Sequence, residues 1–362
     1  MKIELINLIE ILVGVQSYLF AVFLLTHSKG KKISNLVLAV FLLFLGTQMV
    51  GVVLSSTGSD TVLDKFKGSY GYIYGVLFYV YTRSLIYKDF RFKPADWLHF
   101  IPFVVVSIFP ILNLSIRQIT IIGLYISICA YMTLSFREIA RYHRVVKNTQ
   151  SNYDKINLSW LRLAITIFSV TLTIDILQFL ANKFNAPYWF ERTVSYGVFI
   201  CLLTLVVAMV YKGLRHPSLF MGISQEDADL NNTIPKENQL KYVNEGLASE
   251  DNKANLHKLE EYMQVHQPHL QPELTLNMLA DALEMSPRYL SQIINYHLGQ
   301  NFSDFINTHR VEAAKNRLQN PKDDKETILE VLYEVGFNSK SSFNAIFKKK
   351  TGMTPTEFKQ SL

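Results

Sequence analysis

Seven stretches of about 20 mostly apolar residues occupy residues 1–215 and constrain the fold more than any other feature of the sequence. Such a stretch can cross a bilayer as a helix, because a helix satisfies its backbone hydrogen bonds internally. We therefore predict an all-α chain whose first 215 residues form a seven-helix transmembrane bundle. The predicted helices are Leu5–Thr26, Ile33–Ser55, Tyr70–Tyr87, Trp97–Leu114, Ile119–Phe136, Leu161–Ala181 and Thr193–Tyr211.

The charges of the connecting loops predict how these helices are oriented. Eleven Lys and Arg residues lie in the loops on one side, and six lie on the other side. Because positively charged loops remain in the cytoplasm, we expect the N-terminus outside the cell and the residues after Tyr211 in the cytoplasm. The third and fourth stretches have the weakest signals, and loss of one would move the C-terminus to the other side.

Polar side chains within the predicted helices are candidates for a site inside the bundle. A carboxylate at the centre of a bilayer costs about 2.5–3.5 kcal/mol, so it is expected to face the helix bundle and not lipid. Such groups either form a ligand or proton site or hold helices together by hydrogen bonds. Both interpretations remain open for Glu10, Gln16, Asp175 and Gln178, and Glu10 could also remain hydrated near the outer surface.

The charge distribution separates the apolar region from the rest of the chain. Residues 1–215 contain 21 Lys and Arg and 10 Asp and Glu, a net charge of +11, whereas residues 216–255 carry −4 and residues 256–362 carry −1. Only 18% of all residues are charged, against about a quarter in soluble proteins. This apolar composition with few charges excludes a single soluble domain and a disordered chain. A secreted disulfide scaffold is also excluded, because both cysteines lie in apolar stretches.

Residues 216–255 are predicted to be an acidic, flexible linker, because they are polar and lack a sustained apolar periodicity. A short helix is expected around Gln239–Leu247. The alternative is that the last transmembrane helix continues through this segment as a signalling helix.

The last 107 residues contain an internal repeat with an offset of 53 residues. The repeat aligns Ser286 with Ser339, Gly299 with Gly352 and, upstream at an offset of 52, the apolar segments Leu276–Leu283 and Ile328–Val335. Each copy predicts a helix, a tight turn and a second helix that ends at a glycine. A long amphipathic helix between them, containing Phe302, Phe305, Ile306, Ala313 and Leu318, is expected to hold the copies at a fixed separation.

Local signals mark the starts of these helices. Ser286 precedes Pro287, which is the combination of an N-cap residue with proline at the first helical position. Thr354 and Glu357 have the spacing of a capping box, and Asn301 with Asp304 has a similar arrangement. These signals predict helices that begin at Pro287, Phe302 and Pro355.

The C-terminal motifs resemble the DNA-binding domain of the AraC/XylS family of bacterial transcription regulators. The resemblance covers residues 256–362 and rests on L-A…S-x-x-Y-L-S (Leu279–Ser291), G-x-x-F-x-x-F-I-x-x-x-R (Gly299–Arg310) and G-F-x-S-x-S-x-F…F-K-K-x-x-G-x-T-P-x-x-F (Gly336–Phe358). It implies a cytoplasmic double helix-turn-helix domain that binds double-stranded promoter DNA. Leu332 departs from the small alanine usual in this family, and we expect a local change of packing there and not loss of the fold.

A helix-turn-helix unit places its second helix in the major groove, which identifies candidate DNA contacts on one helix face in each copy. In the first copy, Arg and Gln side chains can read guanine and adenine. In the second copy, the lysines suit phosphates and Ala345 offers only an apolar contact, so this copy is expected to read less sequence. The candidates are Arg288, Ser291, Gln292 and Asn295 in the first copy, and Lys340, Ser341, Asn344, Lys348 and Lys349 in the second.

Motifs for catalysis and for cofactors are missing from the sequence. It contains no Walker loop, G-x-G-x-x-G, G-x-S-x-G, kinase motif set or C-x-x-C, so no enzyme activity and no cofactor are predicted. His266 and His269 form an H-x-x-H pattern, but Pro268 lies between them and no further metal ligand is near in sequence, so a loop is favoured over a zinc site.

These observations predict a bacterial inner-membrane protein that regulates transcription. The expected partners are promoter DNA and the lipid bilayer, with a second copy of the chain, RNA polymerase and a small-molecule or membrane signal as further candidates. Two alternatives remain open. One is a transporter-like membrane protein that the C-terminal domain regulates, and the other is a membrane anchor from which proteolysis releases that domain.

Overall fold

The computed structural model describes residues 5–26, 32–56, 58, 62–66, 68–112, 117–152, 158–184, 187–215, 250–323 and 325–362. The chain divides into two compact units: unit 1 contains residues 1–140 and 158–222, and unit 2 contains residues 141–157 and 223–362. The described residues are helical apart from connecting segments and one isolated β-bridge within unit 2, between Gln150 and Thr275.

Unit 1 consists mainly of apolar helices that overlap the predicted apolar stretches, together with the unpredicted four-residue helix α3. A 3-10 helix, Pro94–Phe100, precedes α5, and α6 continues from unit 1 into the segment of unit 2 that begins at Arg141. The helices are α1 (Leu5–Thr26), α2 (Lys32–Ser56), α3 (Val62–Lys65), α4 (Tyr70–Ile86), α5 (Ile101–Ile108), α6 (Arg117–Thr149), α7 (Ser159–Lys183) and α8 (Tyr188–Arg215).

Among the described residues, five helices are long and apolar enough to cross a membrane: α1, α2, α6, α7 and α8. The predicted count of seven such helices is not confirmed, because the third and fourth stretches form shorter elements. α4 has 17 residues, and the fourth stretch is divided between the 3-10 helix and the eight residues of α5. A proline occupies the first turn of the 3-10 helix and another occupies the first turn of α5, where a missing N–H is tolerated.

α4 is buried on nearly all sides within unit 1, although its sequence is rich in tyrosine. Two of its hydroxyls find partners on neighbouring helices: Tyr72 donates to the backbone oxygen of Thr120, and Tyr74 donates to Oε1 of Gln48. Because a buried hydroxyl needs a hydrogen-bond partner, these contacts explain how a tyrosine-rich helix packs inside an apolar bundle.

α1 and α2 approach each other closely through small residues. The aromatic ring of Tyr18 on α1 lies against Gly46 on α2, where an added Cβ would be 3.1 Å from the ring. The Tyr18 hydroxyl lies 3.0 Å from Oγ1 of Thr47. Small residues and interhelical hydrogen bonds of this kind are typical of packing between transmembrane helices.

Unit 2 contains the helices of the predicted C-terminal domain. They are α9 (Glu250–His266), α10 (Leu276–Ala282), α11 (Pro287–His297), α12 (Phe302–Gln319), α13 (Ile328–Glu334), α14 (Lys340–Thr351) and α15 (Pro355–Gln360). α9 begins at Glu250, so the last residues of the segment predicted as a linker, 250–255, are helical. The short helix predicted at Gln239–Leu247 lies outside the described residues.

Two hydrophobic cores share α12. Phe302, Phe305 and Ile306 pack into a core with helices α9 to α11, and Val311, Ala314 and Leu318 pack into a second core with α13 and α14. Leu332, the residue that departs from the family pattern, is fully buried in the second core. One helix therefore contributes to both cores, as the amphipathic pattern of this segment predicted.

Candidate functional site

The first helix-turn-helix unit consists of α10 and α11, whose starts follow the capping signals in the sequence. The Thr275 side chain accepts a hydrogen bond from the backbone of Met278, and the Ser286 side chain accepts one from the backbone of Tyr289 over 3.2 Å. Pro287 occupies the first position of α11, as predicted. Leu290, Ile293 and Ile294 on α11 are fully buried, so the remaining face of this helix is the one available to a partner.

The candidate contacts of this first unit do not share one exposed face. Arg288 is exposed, and Gln292 and Asn295 are half-buried, but only 3% of Ser291 is exposed. The prediction that Ser291 lies on an exposed face is therefore wrong. The cause is that α11 packs more than its apolar residues against the core, so that the serine at the edge of the apolar face is covered.

Asn295 is held in place by the serine one turn earlier. Its Nδ2 donates to the backbone oxygen of Ser291 over 2.7 Å and to Oγ of Ser291 over 3.2 Å. A base contact by Asn295 would therefore require exchange of these bonds or use of its Oδ1. Arg288 and Gln292, at i and i+4, are left as the first unit's most accessible pair for reading base edges.

The second helix-turn-helix unit consists of α13 and α14, and it presents its candidates more openly. Thr327 and Glu330 form a capping box at α13, and Ser339 caps α14 by accepting from the backbone of Ser342. Asn344 is half-buried, whereas Ala345 and the other candidate side chains are exposed; these candidates are Lys340, Ser341, Lys348 and Lys349. Phe343 and Phe347 fix the opposite face of α14 in the core.

The last turn of α14 concentrates positive charge, with Lys348, Lys349 and Lys350 in sequence. Lys350 donates to Oγ1 of Thr308 on α12 over 2.8 Å, which draws it toward the linking helix. Lys348 and Lys349 are exposed. Point charges of this type suit phosphate oxygens, which position a protein on DNA without reading sequence.

Both units use a left-handed residue in the turn between their helices. Glu284 has φ of 57° in the first unit, and Gly336, its equivalent at the repeat offset of 52, has φ of 87°. A Cβ at Gly336 would lie 2.6 Å from the backbone oxygen of His269. The glycine therefore serves both the backbone conformation and the close approach of the 3-10 helix Pro268–Leu270, which precedes α10.

Arg310 is a structural residue for which the sequence suggested no role beyond its place in the family pattern. Only 2% of it is exposed, and it donates to the backbone oxygens of His269 over 2.7 Å and of Gln271 over 2.8 Å. Burial lowers the pKa of its guanidinium to about 10. A lone arginine on the apolar face of α12 was the available signal, because such a charge must find several acceptors when it is buried.

The two histidines of the H-x-x-H pattern lie in different environments. The ring of His266 packs on Tyr262, whereas His269 is buried beside His309, with 5.6 Å between ring centroids. Burial, together with the neighbouring charges of His309 and Arg310, lowers the pKa of His269 to about 4. No group of metal-ligating side chains is present in the part of the chain that the structure describes.

The four predicted intramembrane polar residues fall on two helices. Glu10 and Gln16 belong to α1, and Glu10, which is 4% exposed, accepts a hydrogen bond from Asn7 over 3.2 Å. Asp175 and Gln178 belong to α7 and line a cavity of about 320 Å³ with residues of α6 and α8. Glu10 and Gln16 do not line this cavity, so the structure does not bring the four side chains to one place.

Residues 279–361 match the model of a family described as a helix-turn-helix domain. This match includes both units described above, from within α10 to the end of α15.

Several curated proteins are similar to this part of the chain. The transcriptional regulatory protein YesN of Bacillus subtilis (strain 168), named as uncharacterized, is 34% identical over 91 residues, which cover 25% of this chain and 24% of YesN. An HTH-type transcriptional regulator of Staphylococcus aureus (strain MSSA476), also named as uncharacterized, is 34% identical over 91 residues, 25% of this chain and 12% of that protein.

A third relative, the HTH-type transcriptional regulator YtdP of Bacillus subtilis (strain 168), is 30% identical over 88 residues, which cover 24% of this chain and 11% of YtdP. The chain thus spans a quarter or less of the length of these relatives. No solved structure matches the chain. The double helix-turn-helix geometry, the matching family model and the names of these relatives agree, and the C-terminal domain of this chain is a helix-turn-helix domain of the AraC type.

Proposed function

We propose that the protein is a membrane-anchored transcription regulator that binds promoter DNA from the cytoplasmic side. The observation that carries the proposal is the pair of helix-turn-helix units built on α12. The second helix of each unit carries polar or basic side chains, which include Arg288 and Gln292 in one unit and Lys340 and Asn344 in the other. A helix-turn-helix protein reads DNA with this second helix.

In this proposal the two units have different tasks. Arg288 and Gln292 read bases in the major groove, because arginine and glutamine can form paired hydrogen bonds with guanine and adenine. Lys348 and Lys349 bind phosphates and position the domain. Asn344 supplies the second unit's main polar contact to a base, and Ser291 and Asn295 act as a supporting pair at the edge of the first unit's interface.

The membrane unit anchors the protein and senses a signal. Five helices of sufficient length and apolar composition support an integral membrane location. The cytoplasmic C-terminus rests on the excess of positive charge in alternate loops, which holds when α4 and the stretch that contains α5 also cross the membrane. Two tethered copies of the chain would engage two DNA half-sites with a raised effective concentration. A signal that changes the association of the membrane units would thereby change promoter occupancy.

Chromosomal mapping of the tagged full chain after cross-linking tests the proposal. The wild-type protein is expected to give discrete promoter peaks, which are lost in the variant with Arg288→Ala, Gln292→Ala and Asn344→Ala. A control variant with Gln264→Ala, Gln319→Ala and Lys325→Ala removes exposed polar side chains away from the second helices and should keep the peaks. Equal peaks in all three proteins would contradict the assigned interface, and no peaks in any would contradict DNA reading.

A further inference from the structure

We propose that the cavity between α6, α7 and α8 binds a small primary amine in its protonated form, with an apolar body beside the ammonium group. This inference names the ligand class for the sensing role proposed above and rests on that role for its biological meaning. Binding itself can be measured without DNA, so a failure of this proposal and a failure of DNA recognition give different results.

The cavity lies within unit 1 and has a size suited to a small molecule. Its volume is about 320 Å³, at the lower end of the range for ligand pockets. α6 contributes one side chain, and α7 and α8 contribute the others. Six of the side chains that line it carry the argument: Tyr125, Asp175, Gln178, Phe179, Ser195 and Phe199.

Asp175 places an exposed carboxylate in this open cavity, without a cationic partner among the residues that the structure describes. It lies eight residues before Lys183, the last residue of α7, which corresponds to about 12 Å along the helix. The Tyr125 hydroxyl donates to Oδ2 of Asp175 over 3.0 Å. No Lys or Arg of the described residues forms an ion pair with Asp175. A carboxylate in a membrane-spanning segment is costly unless it is compensated, and a cationic ligand would supply the missing charge.

Gln178, one turn after Asp175 on α7, provides a second acceptor for the same ligand. Its Nε2 donates to Oγ of Ser195 over 3.0 Å and to the backbone oxygen of Glu191 over 3.3 Å. Both bonds fix the amide group with its nitrogen toward α8. The amide oxygen and the carboxylate of Asp175 therefore remain as acceptors on one helix face, and an ammonium group has three N–H donors to satisfy them.

Aromatic rings complete the selectivity for a cation with an apolar body. The rings of Tyr125 and Phe179 lie 5.9 Å apart, between centroids, at an angle of 57°, and Phe199 lines the same cavity. Aromatic faces attract ammonium groups and also pack against apolar surface. An anion would be repelled by Asp175. A divalent metal would require more carboxylate or histidine ligands than this cavity offers, since such a group is not found among the described residues.

Equilibrium dialysis of the full chain in lipid nanodiscs tests the proposal with defined probes. The probes are 2-phenylethylamine, 4-phenylbutylamine and tryptamine, and 2-phenylethanol is the neutral analogue of the first. We expect saturable binding of at least one amine, with affinity at least about tenfold above that of the alcohol, because only the ammonium group compensates Asp175. Absence of saturable amine binding, or equal binding of the amine and the alcohol, would overturn the proposal.

Two variants locate the bound amine. Asp175→Asn keeps the shape of the side chain and is expected to weaken amine binding at least about tenfold while leaving alcohol binding unchanged. Asp89→Asn removes the charge of an exposed carboxylate that follows α4 and should leave both unchanged. The amine-to-alcohol comparison in the wild-type protein needs no variant, so the proposal remains testable if Asp175→Asn does not fold. Undiminished amine binding by a folded Asp175→Asn protein would contradict the site.

The lipid composition of the nanodiscs distinguishes two sources of the amine. Phosphatidylethanolamine presents a primary ammonium group at the membrane surface, whereas phosphatidylglycerol and phosphatidylcholine present none. If phosphatidylethanolamine nanodiscs suppress probe binding, the natural ligand is a lipid headgroup. If the probe binds equally well in nanodiscs with phosphatidylethanolamine and in nanodiscs without it, the natural ligand is a free amine. Either result supports an amine site, provided that the Asp175→Asn protein loses the binding.

Discussion

Arg310 donates from Nη2 to Oγ of Ser151, a residue 159 positions earlier in the chain, over 3.2 Å. Ser151 is only 3% exposed, and its backbone N–H donates to the backbone oxygen of Leu274 over 3.2 Å. The short segment of unit 2 that follows α6 is therefore packed onto the loop before the first helix-turn-helix unit. The buried guanidinium of Arg310 ties this segment, that loop and α12 together.

The network around Arg310 predicts a large loss of stability when its geometry is changed. Arg310→Lys keeps the charge but cannot reach His269, Gln271 and Ser151 at the same time, because a lysine ammonium lacks the planar fork of a guanidinium. We expect unit 2 to lose about 2–4 kcal/mol of its free energy of unfolding. Hydrogen exchange of α12 amides in the full chain measures this loss. The control Arg288→Lys, at an exposed position, should change the free energy of unfolding of unit 2 by less than about 0.5 kcal/mol.

Gly336 predicts a second structural weak point. In Gly336→Ala the new Cβ would meet the backbone oxygens of His269 at 2.6 Å and Leu270 at 2.8 Å, and φ would remain at 87°. Strain and displacement together should cost unit 2 about 2–4 kcal/mol. Gly299→Ala is the matched comparison, because φ is 62° there and nothing lies within 4 Å of the new Cβ. Its cost should be only about 1 kcal/mol, and equal losses for the two variants would contradict the close approach at Gly336.

The two kinds of proposed DNA contact predict different binding defects. Arg288→Ala should weaken binding to a mapped promoter duplex by about 1–3 kcal/mol and relax the preference for one base pair. Lys349→Ala should weaken binding to all sequences and reduce the salt slope, d log K/d log[salt], by about one. Fluorescence anisotropy with matched and single-substituted duplexes at several salt concentrations separates these effects. A sequence-specific defect in the lysine variant would reverse the assignment.

The buried histidines predict that unit 2 loses stability in acid. The pKa of His269 is lowered to about 4 by burial and by the charges of His309 and Arg310, and burial also lowers the pKa of His309, which Glu260 partly offsets. A histidine with a depressed folded pKa binds its proton more readily when unfolded. Its contribution is therefore complete above the unfolded value of about 6.5 and is lost as the pH falls toward 4.

Hydrogen exchange of unit 2, corrected for the chemical exchange rate at each pH, measures this dependence. The opening free energy should be constant from pH 8 to about 7 and decrease from about 6.5 to 4. His269→Gln should flatten the decrease, because glutamine does not titrate in this range. His257→Gln, on α9, removes a histidine outside this buried pair and should leave the decrease unchanged. A wild-type profile without a decrease would contradict the burial of His269 in its neutral form.

Much of this architecture could be predicted from sequence, since apolar periodicity and helix caps are local signals. α1 and α2 begin and end within one residue of the predicted bounds, and the predicted caps at Ser286, Asn301 and Thr354 are confirmed. α6 extends to Thr149, past the predicted end at Phe136, because a helix can continue in charged residues after its apolar stretch ends.

Other features depend on contacts between distant segments and could not be predicted from local signals. Ser291 has the helical spacing of an exposed side chain, but packing of the first unit covers it. The acceptors of Arg310 are backbone oxygens of a loop about 40 residues earlier, and no sequence pattern marks a carbonyl as a partner. Asp175 and Gln178 likewise line a common cavity, which Glu10 and Gln16 do not, only because side chains of α6, α7 and α8 come together in the folded unit.

Flotation of membrane vesicles with labelled DNA tests the central claim most directly, since it asks whether one chain is held in a membrane and reads a promoter. Vesicles carrying the full chain are mixed with a mapped promoter duplex and centrifuged through a density gradient. We predict that the duplex floats with wild-type vesicles and remains at the bottom with the variant carrying Arg288→Ala, Gln292→Ala and Asn344→Ala. A duplex that stays at the bottom with wild-type vesicles, while the protein floats intact, would contradict the account.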